Sequence, residues 1–190
     1  MTITQLSVTV TADAKSKTYG AVDPDLTFVS IPAEGSSLAN GETVSFTGAL
    51  SREAGETVLG GPYEIQQNSV ANSNYAITYV PADLTINKLA VTVSAETKSK
   101  TYGDVDPSLT FVSSPVVGHT LANGQVISFA GALSRVSGET VLGGPYQIQK
   151  NTVANSNYAI TYVPADLTIN TLDVTVTADA KSKTYGSLDP

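Results

Sequence analysis

The stretch LSVTVTADAKSKTYG at residues 6–20 has two close copies later in the chain. It returns as LAVTVSAETKSKTYG at residues 89–103 and as LDVTVTADAKSKTYG at residues 172–186, so the repeat period is 83 residues. About three quarters of the aligned positions in the first two copies are identical, as expected of an array that grew by duplication. Since this period is longer than a solenoid turn, each copy is predicted to be a small domain of its own.

The repeat divides the 190-residue chain into four parts. Residues 1–5 are interpreted as the start of an expressed piece of a longer protein, and residues 6–88 and 89–171 as modules 1 and 2. Residues 172–190 are a partial third repeat. The passage from the last strand of module 1 to the first strand of module 2 contains no Gly-, Pro- or Ser-rich spacer. We therefore expect a direct joint and an extended, stiff rod.

Apolar and polar residues alternate along most of each module, which is typical of half-buried strands. In module 1 the apolar positions of these segments are Leu6, Val8, Val10, Leu26, Phe28, Val44, Phe46, Tyr63, Ile65, Tyr75, Ile77, Tyr79, Leu84 and Ile86. Turn residues separate the segments, so the sequence predicts six or seven strands per module. We predict an all-β chain of two tandem Ig-like, β-sandwich modules. The alternative is a β-grasp-like α+β module with one short helix at residues 35–41, a segment that we interpret as a turn.

Composition excludes several classes of function. The chain has 17 acidic and 10 basic residues and a net charge of −7, which disfavours binding to nucleic acid. It has no cysteine and one histidine, His119, which aligns with Ser36 in module 1, so the two copies share no imidazole site. No apolar run is long enough to cross a bilayer, and no cofactor is expected. We therefore predict that the chain is not an enzyme and does not insert into a membrane.

The order of short motifs in each copy resembles a known family. Leu-x-Val-x-Val is followed by Lys-Thr-Tyr-Gly, Asp-Pro, Leu-Thr-Phe, Leu-Ala-Asn-Gly, Gly-Ala-Leu, Gly-Pro-Tyr, Asn-Tyr-x-Ile-x-Tyr and Leu-Thr-Ile. This succession is similar to the MBG repeat of the YGX type, with Tyr19-Gly20 and Tyr102-Gly103 at the position that gives the type its name. The resemblance implies a tandem repeat of large surface or secreted adhesins of Gram-negative bacteria, and it implies no catalytic residues.

The repeated tyrosines are the first candidate site residues. They fall on alternating positions within strands, which favours core and cross-strand packing over a platform for sugars. They are Tyr19, Tyr63, Tyr75 and Tyr79, matched by Tyr102, Tyr146, Tyr158 and Tyr162.

Many charged residues differ between the copies. Residues 6–88 carry a net charge of −5, whereas residues 89–171 carry −1. A few persist, and for these we expect structural roles. Arg52 and Glu56 are expected to pair across a turn, and Lys15 and Lys17 to protect an exposed strand edge.

One cation site is considered near the junction of the modules. Asp13, Asp23 and Asp25 are the candidate calcium ligands, because Ca²⁺ prefers carboxylate oxygens. However, Asp25 is replaced by Ser108 in module 2, and a calcium site needs about six oxygens. The acidic residues therefore favour a structural interpretation over a metal centre.

Together, these observations predict a stalk or adhesive repeat outside the cell, on the surface of a Gram-negative bacterium or secreted from it, where it could contribute to biofilm. Its expected partners are neighbouring repeats of the same chain, with a surface glycan or the surface of another cell as a further candidate. The alternative function is a carbohydrate- or receptor-binding module that uses the tyrosines or the loop around Ser36 and His119.

Overall fold

The computed structural model describes residues 2–190; Met1, in the predicted 1–5 start, lies outside the described residues. The predicted all-β class is confirmed, because residues 2–190 contain fourteen strands and no helix. It follows that this part of the chain holds no helix capable of spanning a bilayer. The strands fall into two equivalent sets of seven, one for each module.

The strands of module 1 are β1 Leu6–Ala12, β2 Lys15–Thr18, β3 Phe28–Ile31, β4 Ser51–Arg52, β5 Tyr63–Gln66, β6 Tyr75–Val80 and β7 Ala82–Asn87. Those of module 2 are β8 Leu89–Ala95, β9 Lys98–Thr101, β10 Phe111–Ser114, β11 Ser134–Arg135, β12 Tyr146–Gln149, β13 Tyr158–Val163 and β14 Ala165–Asn170. Residues 172–190 form no strand.

Each module contains two sheets. In module 1 the first sheet has the order β3-β1-β6 and the second has the order β2-β7-β5-β4; module 2 repeats both as β10-β8-β13 and β9-β14-β12-β11. The pairs β1–β6 and β2–β7 are parallel, while the others in module 1 are antiparallel. The chain thus runs from β1 to β2, and from β6 to β7, by passing from the first sheet into the second.

Local sequence explains where these long strands are divided. Pro81 stands between β6 and β7, and a proline cannot donate a backbone hydrogen bond to a sheet. The segment Asp13-Ala14 separates β1 from β2 beside the point where Pro81 separates β6 from β7. The segment 35–41 that could have held a helix is instead a tight hairpin, closed by the bridge between Ser37 and Thr43. The all-β interpretation of that segment is therefore the correct one.

Buried residues form three clusters along the chain. One lies in the first sheet of module 1, around Val8 and Val10, and another lies in the second sheet of module 2, around Leu167. The middle cluster joins the second sheet of module 1 to the first sheet of module 2, so that Leu84 and Val93 belong to one core. The hydrophobic core therefore continues across the boundary between the modules.

The joint itself is very short. Strand β7 ends at Asn87 and β8 begins at Leu89, so Lys88 is the single residue between two strands that belong to different modules. A connection of one residue, held by sheet hydrogen bonds on both sides, leaves the two modules few ways to reorient.

Candidate functional site at the junction of the modules

The junction is made by two faces that we name for their place in the chain. The trailing face of module 1 consists of Tyr19, Gly20, Glu56 and Val58. The leading face of module 2 consists of Leu121, Asn123, Gln125, Asn157 and Tyr158. These residues come from loops and strand ends that are far apart in the sequence, and their contacts link one repeat to the next.

The Tyr19-Gly20 turn forms the centre of the trailing face. Strand β2 ends at Thr18, and the backbone N–H of Tyr19 donates to the carbonyl of Asn87, which fixes the turn against the last residue of β7. Gly20 has a φ of +85°, a left-handed conformation that glycine adopts without steric cost. A Cβ atom at Gly20 would lie 2.3 Å from Cδ1 of Leu121. Glycine is therefore required at this position for two reasons: the left-handed backbone conformation and the close approach of Leu121 from module 2.

Tyr19 is the aromatic side chain of the trailing face. Its ring meets the ring of Tyr158 edge to face, with centroids 5.8 Å apart, and its hydroxyl donates to Oε1 of Gln125 at 3.1 Å. As a result Tyr19 is 6% exposed, whereas Tyr102, the equivalent residue of module 2, is 51% exposed. Burial and the nearby Tyr158 raise the pKa of Tyr19, so its hydroxyl stays protonated and able to donate. The difference in exposed fraction between Tyr19 and Tyr102 shows how much of Tyr19 is covered by module 2.

Two asparagines of module 2 supply the other polar contacts. The backbone N–H of Asn123 donates to the carbonyl of Gly20 at 3.0 Å, and its side-chain amide donates to Oε2 of Glu56 at 2.8 Å. The side-chain oxygen of Asn157 accepts a hydrogen bond from the backbone N–H of Val58 at 2.9 Å. Backbone groups at the two faces are thus paired across the junction, which makes the contact directional as well as apolar.

A cluster of four charges supports the trailing face. Lys17 Nζ lies 2.6 Å from an oxygen of Asp23 and 2.7 Å from an oxygen of Glu56. Arg52 donates two hydrogen bonds to Asp23 and pairs with Glu56 across the turn, as the sequence predicted. Module 2 has the same cluster in Lys100, Asp106, Arg135 and Glu139. Four of the charged residues that persist between the copies therefore contact one another in each module.

The prediction for Lys17 was wrong. Strand β2 does lie at the edge of its sheet, but Lys17 is 7% exposed and points toward the two carboxylates, so it does not shield the edge from solvent. The alternation on β2 places it on the same side of the strand as Tyr19. Lys15, two residues earlier, donates to the hydroxyl of Thr27. The sequence showed that Lys17 persists, but it could not show a partner 39 positions away at Glu56.

Electrostatics keep all four groups charged. Burial opposes the charge of Lys17, yet hydrogen bonds to Asp23 and Glu56 raise its pKa. Burial likewise opposes the charge of Glu56, but hydrogen bonds from Lys17, Asn123 and Arg52 lower its pKa. In module 2, Arg135 and then Lys100 lower the pKa of Asp106 to about 2. Because Asn123 is among the donors, the cluster of module 1 is electrostatically linked to module 2.

An aromatic ring fixes the arginine of each cluster. The Arg52 guanidinium lies 5.5 Å from the centroid of the Tyr63 ring, a cation–π distance. The Tyr63 hydroxyl donates to the carbonyl of Thr57, which holds the loop that carries Glu56 and Val58. A Cβ atom at Gly55 would lie 2.1 Å from the same ring. Tyr63 therefore supports the trailing face from beneath, and Tyr146 does the same in module 2 beside Arg135.

The other candidate tyrosines occupy several environments. Tyr75 and Tyr158 are buried in the first sheets, and their hydroxyls accept hydrogen bonds from the backbone N–H groups of Ser45 and Ser128. Tyr79 and Tyr162 are half-buried, and their hydroxyls donate to backbone carbonyls of Ile65 and Ile148. The third-repeat copy, Tyr185, is exposed to solvent.

Two of the three candidate calcium ligands, Asp23 and Asp13, have other partners. Asp23 accepts hydrogen bonds from Lys17 and Arg52, and Asp13 accepts one from the hydroxyl of Thr27. Within residues 2–190, no three His, Asp or Glu side chains form a group that could hold a metal ion. His119 lies on the hairpin of module 2, where its backbone bonds to Ile127 and Val116. These positions carry no argument for a metal centre.

Comparison with known proteins gives one result. A family model described as "MBG domain (YGX type)" matches the chain twice, over residues 8–85 and 91–168. No curated protein and no solved structure matches the chain. The Tyr-Gly pair in the family's description is the turn that module 1 presents to module 2. With two matches covering most of its length, the chain belongs to the MBG domain (YGX type) family and is a tandem of two such domains.

Proposed function

We propose that this tandem is a non-catalytic spacer of a large surface or secreted protein, a stalk that holds a binding region away from a bacterial cell. Membership of the MBG family suggests a domain of surface proteins and supports this proposal. Location outside a Gram-negative cell and a role in adhesion are parts of the proposal. Its mechanism is mechanical: each added repeat extends the array, and each junction keeps neighbouring repeats in a fixed orientation.

The observation that carries the proposal is the continuous core at the junction. Tyr19 of module 1 and Val93 and Tyr158 of module 2 belong to the same cluster of buried residues. A flexible string of domains needs linkers that keep neighbours apart, whereas here bending would expose Tyr19 and break the Asn123 and Asn157 hydrogen bonds. Stiffness is the property that distinguishes a spacer from a tether.

The repetition of the parts also favours a spacer. The leading and trailing faces are encoded in both modules, and so is the charged cluster beneath the trailing face. An array can therefore be lengthened by duplication without designing a new contact. The surface charge differs between the modules, at −5 against −1, which a spacer tolerates and a repeated binding site would not.

Small-angle X-ray scattering on arrays of two and four modules tests the proposal. For a spacer, the maximum dimension should nearly double from two to four modules. A matched four-module array carrying Tyr→Ala at each buried junction tyrosine, the position of Tyr19, should give a broader and shorter distance distribution. A four-module array no longer than the two-module array would contradict the spacer function, because the modules would then fold back on each other.

A further inference from the structure

We propose that each module bears tension along the chain, because a force on its two ends loads its parallel strands in shear. The proposal deepens the spacer role and rests on it only for the source of the load. Stiffness keeps neighbouring modules oriented, whereas resistance to shear decides whether one module stays folded when its ends are pulled apart. Module 2 shows the arrangement with Lys88 before its first strand and Thr171 after its last.

The first two strands of module 2 lie beside its last two strands and run in the same direction. Strands β8 and β13 pair in parallel over six residues, beginning with Leu89 opposite Tyr158. Strands β9 and β14 pair in parallel over four residues, ending with Thr101 opposite Asn170. Partners are 69 positions apart in both ladders, and the same offset holds in module 1. The two segments therefore keep one register although each passes from the first sheet into the second.

The chain enters and leaves the module at opposite ends of this double ladder. Leu89 begins β8, and Asn170 ends β14. Tension therefore pulls these two residues in opposite directions along neighbouring parallel segments, which must slide past each other before the module can extend. The hydrogen bonds of a parallel pair are evenly spaced along it, so they share a sliding force and several must break together. A force that separated the segments from one end would break them one after another.

Neither end of the module has slack that would delay loading of the ladder. At the entry, the backbone N–H of Leu89 donates to the carbonyl of Asn157 at 3.0 Å. At the exit, the backbone N–H of Tyr102 donates to the carbonyl of Asn170 at 2.9 Å. A single residue separates β7 from β8, so tension passes from the ladder of module 1 into that of module 2 without first extending a loop.

Side chains on the paired segments also oppose sliding. Val93 on β8 and Leu167 on β14 are both 0% exposed, and a slip of one residue would turn each toward the opposite face of its sheet. Lys100 on β9 forms ion pairs with Asp106 and Glu139, which lie on loops outside the ladder. Sliding therefore exposes apolar surface and breaks ion pairs as well as backbone hydrogen bonds.

Single-molecule pulling of the full chain in two directions tests the proposal. The chain has no cysteine, so introduced cysteines provide unique attachment points. Lys88→Cys with Thr171→Cys loads the whole ladder in shear, whereas Lys88→Cys with Ser156→Cys pulls the starts of β8 and β13 apart. All three positions are exposed and lie outside the strands, so both double variants should keep the stability of the wild type. The force that unfolds module 2 should be several-fold higher in the shear direction.

Two matched substitutions separate the strength of the ladder from overall stability. Val93 lies on β8 and Val153 lies outside the strands, yet both are 0% exposed and belong to the same cluster of buried residues. Val93→Ala and Val153→Ala should lower the free energy of unfolding in urea by similar amounts. Only Val93→Ala should lower the shear force, because forced unfolding follows the unfolding rate and sliding breaks the contacts of Val93 first.

Two results would overturn the proposal. One is an equal unfolding force in the two pulling directions, and the other is a loss of shear force with Val153→Ala as large as that with Val93→Ala. Scattering of the four-module array is independent of both results. Equal forces together with an array of doubled length would remove the tension-bearing role and leave the spacer function intact.

Discussion

Gly20→Ala tests the junction against a control that the molecule itself provides. Gly20 and Gly103 occupy the same turn in the two modules, with φ values of +85° and +93°. An alanine at either position adopts a left-handed conformation at a cost of about 1–2 kcal/mol. The two substitutions therefore share their backbone penalty, and the difference between them reports on what lies opposite the added methyl group.

Opposite Gly20 the added methyl group meets Leu121. The Cβ atom would lie 2.3 Å from Cδ1, 2.9 Å from Cβ and 3.0 Å from Cγ of that side chain. Rotating the end of the leucine cannot relieve the contact with its Cβ, so the two modules must separate or Leu121 must leave the core. Overpacking of this kind costs about 1–3 kcal/mol. We therefore expect Gly20→Ala to destabilise the chain by about 2–5 kcal/mol and Gly103→Ala by about 1–2 kcal/mol.

Urea unfolding of both variants and the wild type, followed by tyrosine fluorescence and by circular dichroism, measures this difference. Nuclear magnetic resonance spectra of Gly20→Ala should also show shifts at Asn123 and Asn157, which Gly103→Ala should leave unchanged. Equal free energies of unfolding for the two variants would refute the reasoning, because the close approach of Leu121 to Gly20 would then have no energetic consequence.

Two further predictions concern the polar part of the junction. Asn123→Ala should lower the free energy of unfolding in urea by about 1–3 kcal/mol more than Asn40→Ala. Both side chains accept a hydrogen bond in the equivalent hairpin turn of their own module, but only Asn123 also donates to Glu56. Equal losses of stability for the two variants would contradict this. Asp106→Asn should be less stable than the wild type at pH 7, and the gap should close as pH falls from about 4 toward 2. Arg135 lowers the pKa of Asp106 to about 2, so the stabilising charge is present above the ordinary pKa of 3.8 and lost below it. A gap that stayed constant from pH 7 to pH 2 would contradict that account.

Much of the fold could be predicted from the sequence because strand periodicity is a local signal. Val8 and Val10 alternate with threonines and are buried in β1, and Tyr63 and Ile65 do the same in β5. The repeat and the family resemblance were equally visible, since both depend on the order of residues alone. Local signals did not show that β1 and β2 belong to different sheets, because that depends on which distant strand each one pairs with.

The junction could be predicted only in part. The missing spacer around Lys88 indicated a direct joint, and the persistence of Arg52 and Glu56 indicated a pair. The sequence does not show what packs against the tyrosine of each Tyr-Gly turn. Tyr19 and Tyr102 stand in nearly identical sequences, and one is buried while the other is half exposed. The difference arises from the neighbouring module and leaves no trace in the residues around either tyrosine.

The orientation of the two modules in solution is the most direct test of the account, and residual dipolar couplings measure it. Backbone N–H couplings from residues 6–88 and from residues 89–171 are fitted separately for an alignment tensor. If the shared core and the Asn123 and Asn157 hydrogen bonds hold the modules together, both fits should give one tensor, equal in magnitude and orientation. Two tensors of clearly different magnitude would mean that the modules move independently, and the spacer mechanism would be wrong.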